Sequence, residues 1–274
     1  MNALFRKLPA FKGKNRLAGL LFNKTLQTAK DILVEGRYGC CYLLPNLIEN
    51  VSREIFINGI YEQATSDLFA ERSPKDGIFL DLGANIGAIS VPLHQKRKDL
   101  RIVGVEAAPW LFPYLQRNFE YNGLDGAGLV NKALFYKDDQ DIDFFAPDVK
   151  FGKGSLSPTY TDKATKVRTV RLDTLIGQLR LPRVDIIKID VEGHEYNVFL
   201  GAEMLLGRSD APDILFEFED WAEDAAKLAP GTAQAFLMSK GFTLYKVGDG
   251  ARLHNMDAPF TKGSTMLLAT KQGQ

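Results

Sequence analysis

One stretch limits the folds open to this chain: Ile78-Phe-Leu-Asp-Leu-Gly-Ala-Asn-Ile-Gly-Ala-Ile-Ser90, an apolar run that breaks on glycines and resumes with helical spacing. It reads as strand, tight loop, helix. Ile78, Phe79, Leu80 and Leu82 make a strand buried on both faces, as a central parallel strand is. Gly83 and Gly87 bracket the turn. Gly83 permits backbone angles that a side chain forbids, and Gly87 lets the next helix pack close to the sheet or a ligand approach the main chain. Such a turn points free amides at a nucleotide-like molecule. Asp81 narrows the choice, because a carboxylate at the strand end repels a pyrophosphate and attracts an ammonium group.

A second acid points the same way. Arg101-Ile-Val-Gly-Val-Glu106 is a compact apolar strand ending in a carboxylate 19 residues beyond Gly87, where a carboxylate can accept both hydroxyls of a ribose. S-adenosylmethionine carries an amino group and no phosphate. Glycine turn, Asp81 and Glu106 together predict a site for it.

From Ile78 onward strands and helices alternate, which implies a parallel sheet with right-handed crossovers. Strands are expected at 78–82, 101–105, 128–133, 184–189, 212–218, 242–247 and 264–269. No helix separates the last two, so they should form an antiparallel hairpin at one edge. Between Leu134 and Arg183 the chain is too long for a simple crossover. It holds two strand-like runs, Asp141–Phe145 and Lys166–Leu172, around the Gly/Ser-rich Lys150-Phe-Gly-Lys-Gly-Ser-Leu-Ser-Pro158. Long segments of this kind are either active-site lids or disordered surface loops.

Upstream, a hairpin over 31–44 and two helices, from Asn50 and to about Ala70, precede the central strand. Tyr61 and Glu62 sit just before the turn and could close over a ligand or simply face solvent. Seven of the 34 basic residues lie in 1–30 without a single acid, leaving 27 against 34 acids in the rest. A net negative body is a poor nucleic-acid binder. The leucines among those cations suit an amphipathic helix from Asn15, either packed on the domain or touching an anionic membrane surface or acidic partner. Adjacent Cys40 and Cys41 suit neither a structural disulfide nor a zinc site, so a reducing, cytoplasmic setting is expected. No run is long and apolar enough to span a membrane.

Asp185-Ile-Ile-Lys-Ile-Asp-Val-Glu-Gly-His-Glu195 is the stretch most unusual for chemistry. A buried parallel strand should be nearly all apolar, yet Lys188 interrupts this one and Asp190 ends it, so both should sit where the sheet opens. Glu217 and Glu219 share one face at the end of the next strand. Three readings compete. His194, Glu192 or Glu195 could take the proton of a hydroxyl acceptor; Asp190, Glu217 and Glu219 could hold Mg²⁺; or Lys188 could pair with Asp190 or Glu217 and the rest be solvated. His94 and His254 suggest no chemistry. Trp110 and Trp221 read as packing, although Trp221 could stack on a sugar face.

Asp81–Gly87, Val105–Pro109, Arg171–Leu175 and Ile187–Glu195 together resemble the FkbM-type S-adenosylmethionine-dependent methyltransferases, over about Gly59 to Leu244. The resemblance implies an α/β, Rossmann-like class I methyltransferase fold, a mostly parallel seven-stranded sheet ordered 3-2-1-4-5-7-6 with an antiparallel edge hairpin. It further implies O-methylation of a sugar, glycan or natural-product hydroxyl. Carried across, Asp81, Gly83, Asn85, Gly87 and Glu106 would contact the cofactor, with Asn131 to Ala133 along the adenine; Glu62, from its place just upstream of the turn, is also expected beside the cofactor. Lys188, Asp190, Glu192, His194 and Glu195 would serve the acceptor. Residues 1–58 would be an accessory segment and 59–274 the methyltransferase domain. A silent cofactor- or glycan-binding partner is the alternative; a nicotinamide oxidoreductase would prefer a second glycine two residues after the first and no Asp81.

Overall fold

The computed structural model describes residues 2–9, 11–147, 149–248 and 251–272. The chain begins with helices α1 (Asn2–Lys7) and α2 (Lys14–Thr28), then a hairpin of β1 (Lys30–Glu35) and β2 (Cys41–Asn46), then α3 (Asn50–Asn58) and α4 (Gln63–Arg72). The alternating part follows: β3 (Ile78–Leu82), α5 (Ser90–Lys96), β4 (Arg101–Val105), α6 (Phe112–Asn122), β5 (Leu129–Val130) and β6 (Ala133–Leu134). After β7 (Asp141–Phe145) and β8 (Ala164–Val170) come α7 (Leu172–Gln178), β9 (Ile186–Ile189), α8 (Glu195–Leu200), α9 (Glu203–Leu206) and β10 (Asp213–Glu219). The chain then continues through α10 (Asp220–Ala225), α11 (Thr232–Ser239), β11 (Thr243–Val247), β12 (Leu253–Met256) and β13 (Ser264–Thr270).

The main sheet runs β12-β11-β13-β10-β9-β3-β4-β5. Counting its long-range strands in chain order and leaving β12 aside, this is 3-2-1-4-5-7-6, the expected class I arrangement. The sheet has eight strands and not seven. β13 is inserted antiparallel between β10 and β11, which gives the expected antiparallel pair, and β12 pairs outside β11 as one further strand at the edge. Leu253-His-Asn-Met256 is half polar and largely exposed, as an edge strand with one neighbour can be, and carries no alternating apolar pattern to reveal it. The strand expected at 128–133 is two short pieces: β5 joins the main sheet, while β6 leaves it to pair with β8 in a three-stranded sheet with β7.

Alternation along the central strands sends side chains to two separate cores. Phe79, Ile102, Ile186 and Leu215 face a layer containing α5, α6 and the N-terminal hairpin. Leu80, Leu82, Val103, Val105, Ile187 and Ile189 face a layer of α7, α8 and α11. The N-terminal hairpin is braced by two asparagines one turn apart on α6. The Asn118 amide accepts from the Leu43 backbone N–H at 2.6 Å and donates to the Ile86 carbonyl at 2.8 Å, and Asn122 exchanges two bonds with Cys41. Asn118 is fully buried and ties β2 to the glycine turn. Replacing it by alanine strands several buried backbone groups, so Asn118→Ala should cost about 2–4 kcal/mol, read as a lower urea midpoint at unchanged slope. No helix among the described residues is long and apolar enough to cross a membrane.

Candidate active site

The turn after β3 is shaped by close approach. Gly83 has φ +79°, and a Cβ there would lie 1.9 Å from the Asp190 carbonyl oxygen, so only glycine lets the ends of β3 and β9 come together. Gly87, at φ +80°, packs toward Leu115 and Phe119 of α6. This close helix packing is the first of the two roles open to it from sequence, and Gly87 lines neither cavity described below. The turn does not point free amides outward. Gly83 and Ala84 donate to the Val105 carbonyl, Asn85 to Glu106 Oε2, Ile86 to Asn85 Oδ1 and Gly87 to the Ala84 carbonyl. With all five amides spent inside the protein there is no cradle for a pyrophosphate, which removes the physical basis for a nicotinamide dinucleotide here.

Two cavities open at the carboxyl ends of β3, β4 and β9, where ligands bind in open α/β sheets. The first is lined by Glu106 and by the apolar Ala133, Leu134, Phe144, Phe151 and Leu156. Glu106 is buried, and each carboxylate oxygen accepts one backbone N–H, Oε2 from Asn85 at 2.9 Å and Oε1 from Ala108 at 2.8 Å. Burial pushes its pKa up, against the pull of those two amides. Each oxygen keeps lone-pair capacity for one hydroxyl of a diol, and the apolar walls suit a planar base. Asn131 donates to the Glu106 and Ala107 carbonyls. It fixes that corner from outside the cavity wall, while Ala133 lies in it.

The second cavity is lined by Tyr61, Glu62, Lys153, Lys188 and Glu217. It meets the first at Asn85, Gly152, Asp190 and Glu192, which line both. Asn85, Glu62 and Glu192 all have positive φ, at 53°, 40° and 52°. Strained non-glycine backbone of this kind concentrates at functional sites.

Strand register places Asp81 directly beside Lys188 on one face of the sheet. Asp81 is fully buried and accepts from Ser90 Oγ at 2.6 Å, with its other oxygen 3.6 Å from the Lys188 ammonium. Expected to grip a ligand amino group, Asp81 lines neither cavity, and its carboxylate meets Ser90 and Lys188. Lys188 also donates to the Gly83 carbonyl at 3.1 Å and to Asp190 Oδ2 at 3.2 Å. Burial lowers its pKa, but the carboxylates of Asp190, Asp81 and Glu62 outweigh that and leave it raised. Of the three carboxylates considered for a divalent ion, Asp190 is thus already paired with an ammonium. Among the described residues no three His, Cys, Asp or Glu side chains are grouped to hold a metal, so the Mg²⁺ reading of Asp190, Glu217 and Glu219 finds no support.

The remaining acid and base candidates separate by their surroundings. His194 is buried with both ring nitrogens engaged, Nδ1 at 3.0 Å from the Asn197 amide and Nε2 at 2.9 Å from Ser157 Oγ, which itself donates to the Ala225 carbonyl. That chain assigns the proton to Nε2 and leaves no lone pair for catalysis. Burial drops its pKa to about 4. His194 is a strap for the lid segment. Glu195, fully enclosed at the start of α8, accepts the Val191 N–H and lies outside both cavities; burial lifts its pKa to about 8.

Glu192 differs. Its Oε1 is 3.3 Å from Lys153 Nζ, whereas Oε2 is buried with no hydrogen-bond partner among the described residues. Burial, then the charge of Asp190, raise its pKa to about 8, with Lys153 pulling the other way. Lys153 comes from the Gly/Ser-rich segment, whose Phe151, Gly152, Gly154 and Leu156 line the first cavity and whose Gly152 and Lys153 line the second. Ser155 bonds to the backbone of Phe145 and through Oγ to the Glu192 carbonyl at 2.8 Å. Lys153, Ser155 and Ser157 could not be singled out from sequence, where only the segment's composition was a signal. At the rim Tyr160 meets Trp221 edge-on at 5.7 Å, with the Lys153 ammonium near both rings.

Comparison with known proteins agrees with this geometry. Residues 81–244, more than half of the chain, match the family described as the methyltransferase FkbM domain. The chain is 27% identical over 220 residues to "Methyltransferase 1" of Beauveria bassiana, covering 72% of this chain and 82% of that protein. It is 28% identical over 247 residues to the 31-O-demethyl-FK506 methyltransferase FkbM of Streptomyces tacrolimicus, covering 77% and 89%. The hexuronic acid methyltransferase AglP of Haloferax volcanii is 26% identical over 141 residues, covering 51% and 56%. The fold implies S-adenosylmethionine as methyl donor, and the chain belongs to the FkbM methyltransferase family.

Proposed function

We propose that this protein is an O-methyltransferase acting on a hydroxyl of a small-molecule or glycan acceptor, with Glu192 as general base. The observation that carries this reading is the place of Glu192 at the junction of the two cavities, one carboxylate oxygen buried and unpaired. S-adenosylmethionine, when bound, supplies an electrophilic methyl group on a sulfonium. In the first cavity Glu106 would hold the ribose hydroxyls, with Phe144, Phe151 and Leu156 around the base. Asp190 and Glu62 would face the amino end, Asp81 acting at one remove through Lys188. Among the described residues that cavity is lined by one lysine, Lys132, and by the carboxyl groups of Glu106, Asp190 and Glu192, a lining suited to a cationic, phosphate-free ligand.

An acceptor hydroxyl in the second cavity would lie between Tyr61, Lys153 and Glu217. Its proton would pass to Glu192, so that the oxygen gains nucleophilicity as the new bond to carbon forms. Tyr160 and Trp221 at the rim offer aromatic faces to an acceptor ring. Two relatives' names, one specifying an O-linked position and one a hexuronic acid, support oxygen as the acceptor atom. We read residues 1–58 as an accessory segment on a catalytic domain of 59–274, and the free thiols of Cys40 and Cys41 suit the cytoplasm.

The test is formation of S-adenosylhomocysteine from labelled donor with a panel of sugars and hydroxylated natural products, mass spectrometry locating the new methyl group on oxygen. Transfer to nitrogen or carbon, or none with any acceptor, would contradict the reading. Independently of turnover, Glu106→Ala should weaken S-adenosylmethionine binding by more than about tenfold, roughly 1.4 kcal/mol, in calorimetry. Unchanged affinity would remove Glu106 from the ribose.

A further inference from the structure

Helix α2 buries one apolar stripe and exposes another. Ala18 and Leu26 are buried and Phe22 packs with them against the core, with its ring edge-on to Phe56 of α3. That accounts for one face. Leu17, Leu20 and Leu21, at i, i+3 and i+4, lie on the outer side, with Leu20 77% and Leu21 56% exposed. Leu4, Leu8 and Phe11 of the same appendage are also exposed. Nothing in the fold of a single chain requires five exposed leucines and a phenylalanine within 18 residues, and most of a protein's isolated surface apolar groups do not cluster in this way.

The charges around this face are of one sign. Two of the seven cations point inward as anchors: Arg6 donates to the Phe56 and Glu35 carbonyls, and Lys14 to the Leu8 carbonyl. The other five, Lys7, Lys12, Arg16, Lys24 and Lys30, are exposed. The nearby acid on α3, Glu54, is engaged by Asn15 and Asn58. An exposed apolar stripe flanked by cations, on a helix lying along the surface, is the pattern that sits in the headgroup region of a bilayer. The remaining chain is net negative, so an anionic surface would attract this end and repel the others. Two copies meeting through this face would instead bring ten exposed cations together.

We infer that α1 and α2 form a peripheral docking surface for anionic lipid bilayers, with Leu17, Leu20 and Leu21 entering the headgroup region and the five exposed cations facing lipid phosphates and carboxylates. The surface lies on α3. Residues at and just beyond the ends of that helix, Glu49, Asn50, Val51, Tyr61 and Glu62, line the second cavity.

Flotation of the full chain with vesicles tests this, using phosphatidylcholine alone and phosphatidylcholine mixed with phosphatidylserine. The expected result is at least about tenfold more protein floating with the anionic vesicles. Leu20→Ser/Leu21→Ser and, separately, Lys12→Glu/Arg16→Glu/Lys24→Glu should each abolish flotation. All five positions are exposed, and an unchanged thermal melt confirms that the variants fold. Three results would overturn the inference: no flotation with anionic vesicles, flotation undiminished in the leucine variant, or a wild-type oligomer that does not float and that the leucine variant splits into monomers.

Discussion

Replacing Glu192 by glutamine is expected to lower kcat by about 10²–10⁴-fold, roughly 3–5 kcal/mol of lost transition-state stabilisation, while S-adenosylmethionine affinity stays within about threefold. Glutamine keeps the shape and the contact with the lid but cannot accept a proton. The reason for placing the largest loss here is elimination by geometry. His194 has no free lone pair, Glu195 is sealed behind the turn, and Asp190 is paired with Lys188. Among the described residues that line both cavities, Glu192 is the one with a buried side-chain oxygen that has no hydrogen-bond partner.

The same residue sets a pH dependence whose sign follows from its environment. With a pKa near 8 in the free protein, most of the group is protonated at neutral pH, and the basic form grows as pH rises. The kcat/KM profile should therefore climb by about tenfold per unit below that pH and level off above it. In kcat the rise should lie at lower pH, because a cation beside the carboxylate favours its ionised form. Lys153→Met should move the kcat/KM limb upward, since Lys153 is the cation that pulls Glu192 down. Pre-steady-state methyl transfer from pH 6 to 9 in the parent and both variants decides this. A flat profile, or a Glu192→Gln enzyme retaining more than about a tenth of the rate, would assign the proton to another acceptor.

How much of this was legible in the sequence depended on whether a residue's role is set by its own strand or by a distant segment. The strand at 78–82, the turn at Gly83 and the acid at Glu106 follow from an apolar run and the residues that interrupt it, and the structure places Glu106 in the cavity wall. The sheet order was legible as a whole because alternating strands and helices leave few right-handed connections. Asp81 shows the limit. A carboxylate at a strand end can face the ligand or the neighbouring strand, and only the register, which sets Asp81 opposite Lys188, decides between them. His194 shows the same limit, since its ring is consumed by Ser157, 37 residues away. β12 escaped notice because an exposed edge strand needs no apolar alternation.

Removing the Lys188 ammonium is expected to be the most destabilising single change in the molecule, and the size of the loss tests what Asp81 is for. Lys188→Met leaves a fully buried carboxylate with a serine hydroxyl as its remaining support, and breaking one side of a buried pair costs about 3–5 kcal/mol. It also frees the Gly83 carbonyl and the Asp190 carboxylate, so the ends of β3 and β9 lose their clamp at the place where the cavities meet. In the parent, burial raises the pKa of Asp81 while Lys188 and Ser90 counter it; in the variant the larger counterweight is gone and the pKa rises further. A carboxyl whose folded pKa is raised contributes stability that is lost as pH increases past its unfolded value near 4. The stability of Lys188→Met should therefore fall more steeply than that of the parent as pH rises above about 4. Adding Asp81→Asn removes the stranded charge, and the double variant should recover to within about 1–2 kcal/mol of the parent and lose the extra pH dependence. Urea denaturation of the four proteins at several pH values gives the coupling directly. If the two substitutions were simply additive at every pH, Asp81 and Lys188 would not be acting as a pair, and Asp81 would have to be reconsidered as a group that meets the ligand itself.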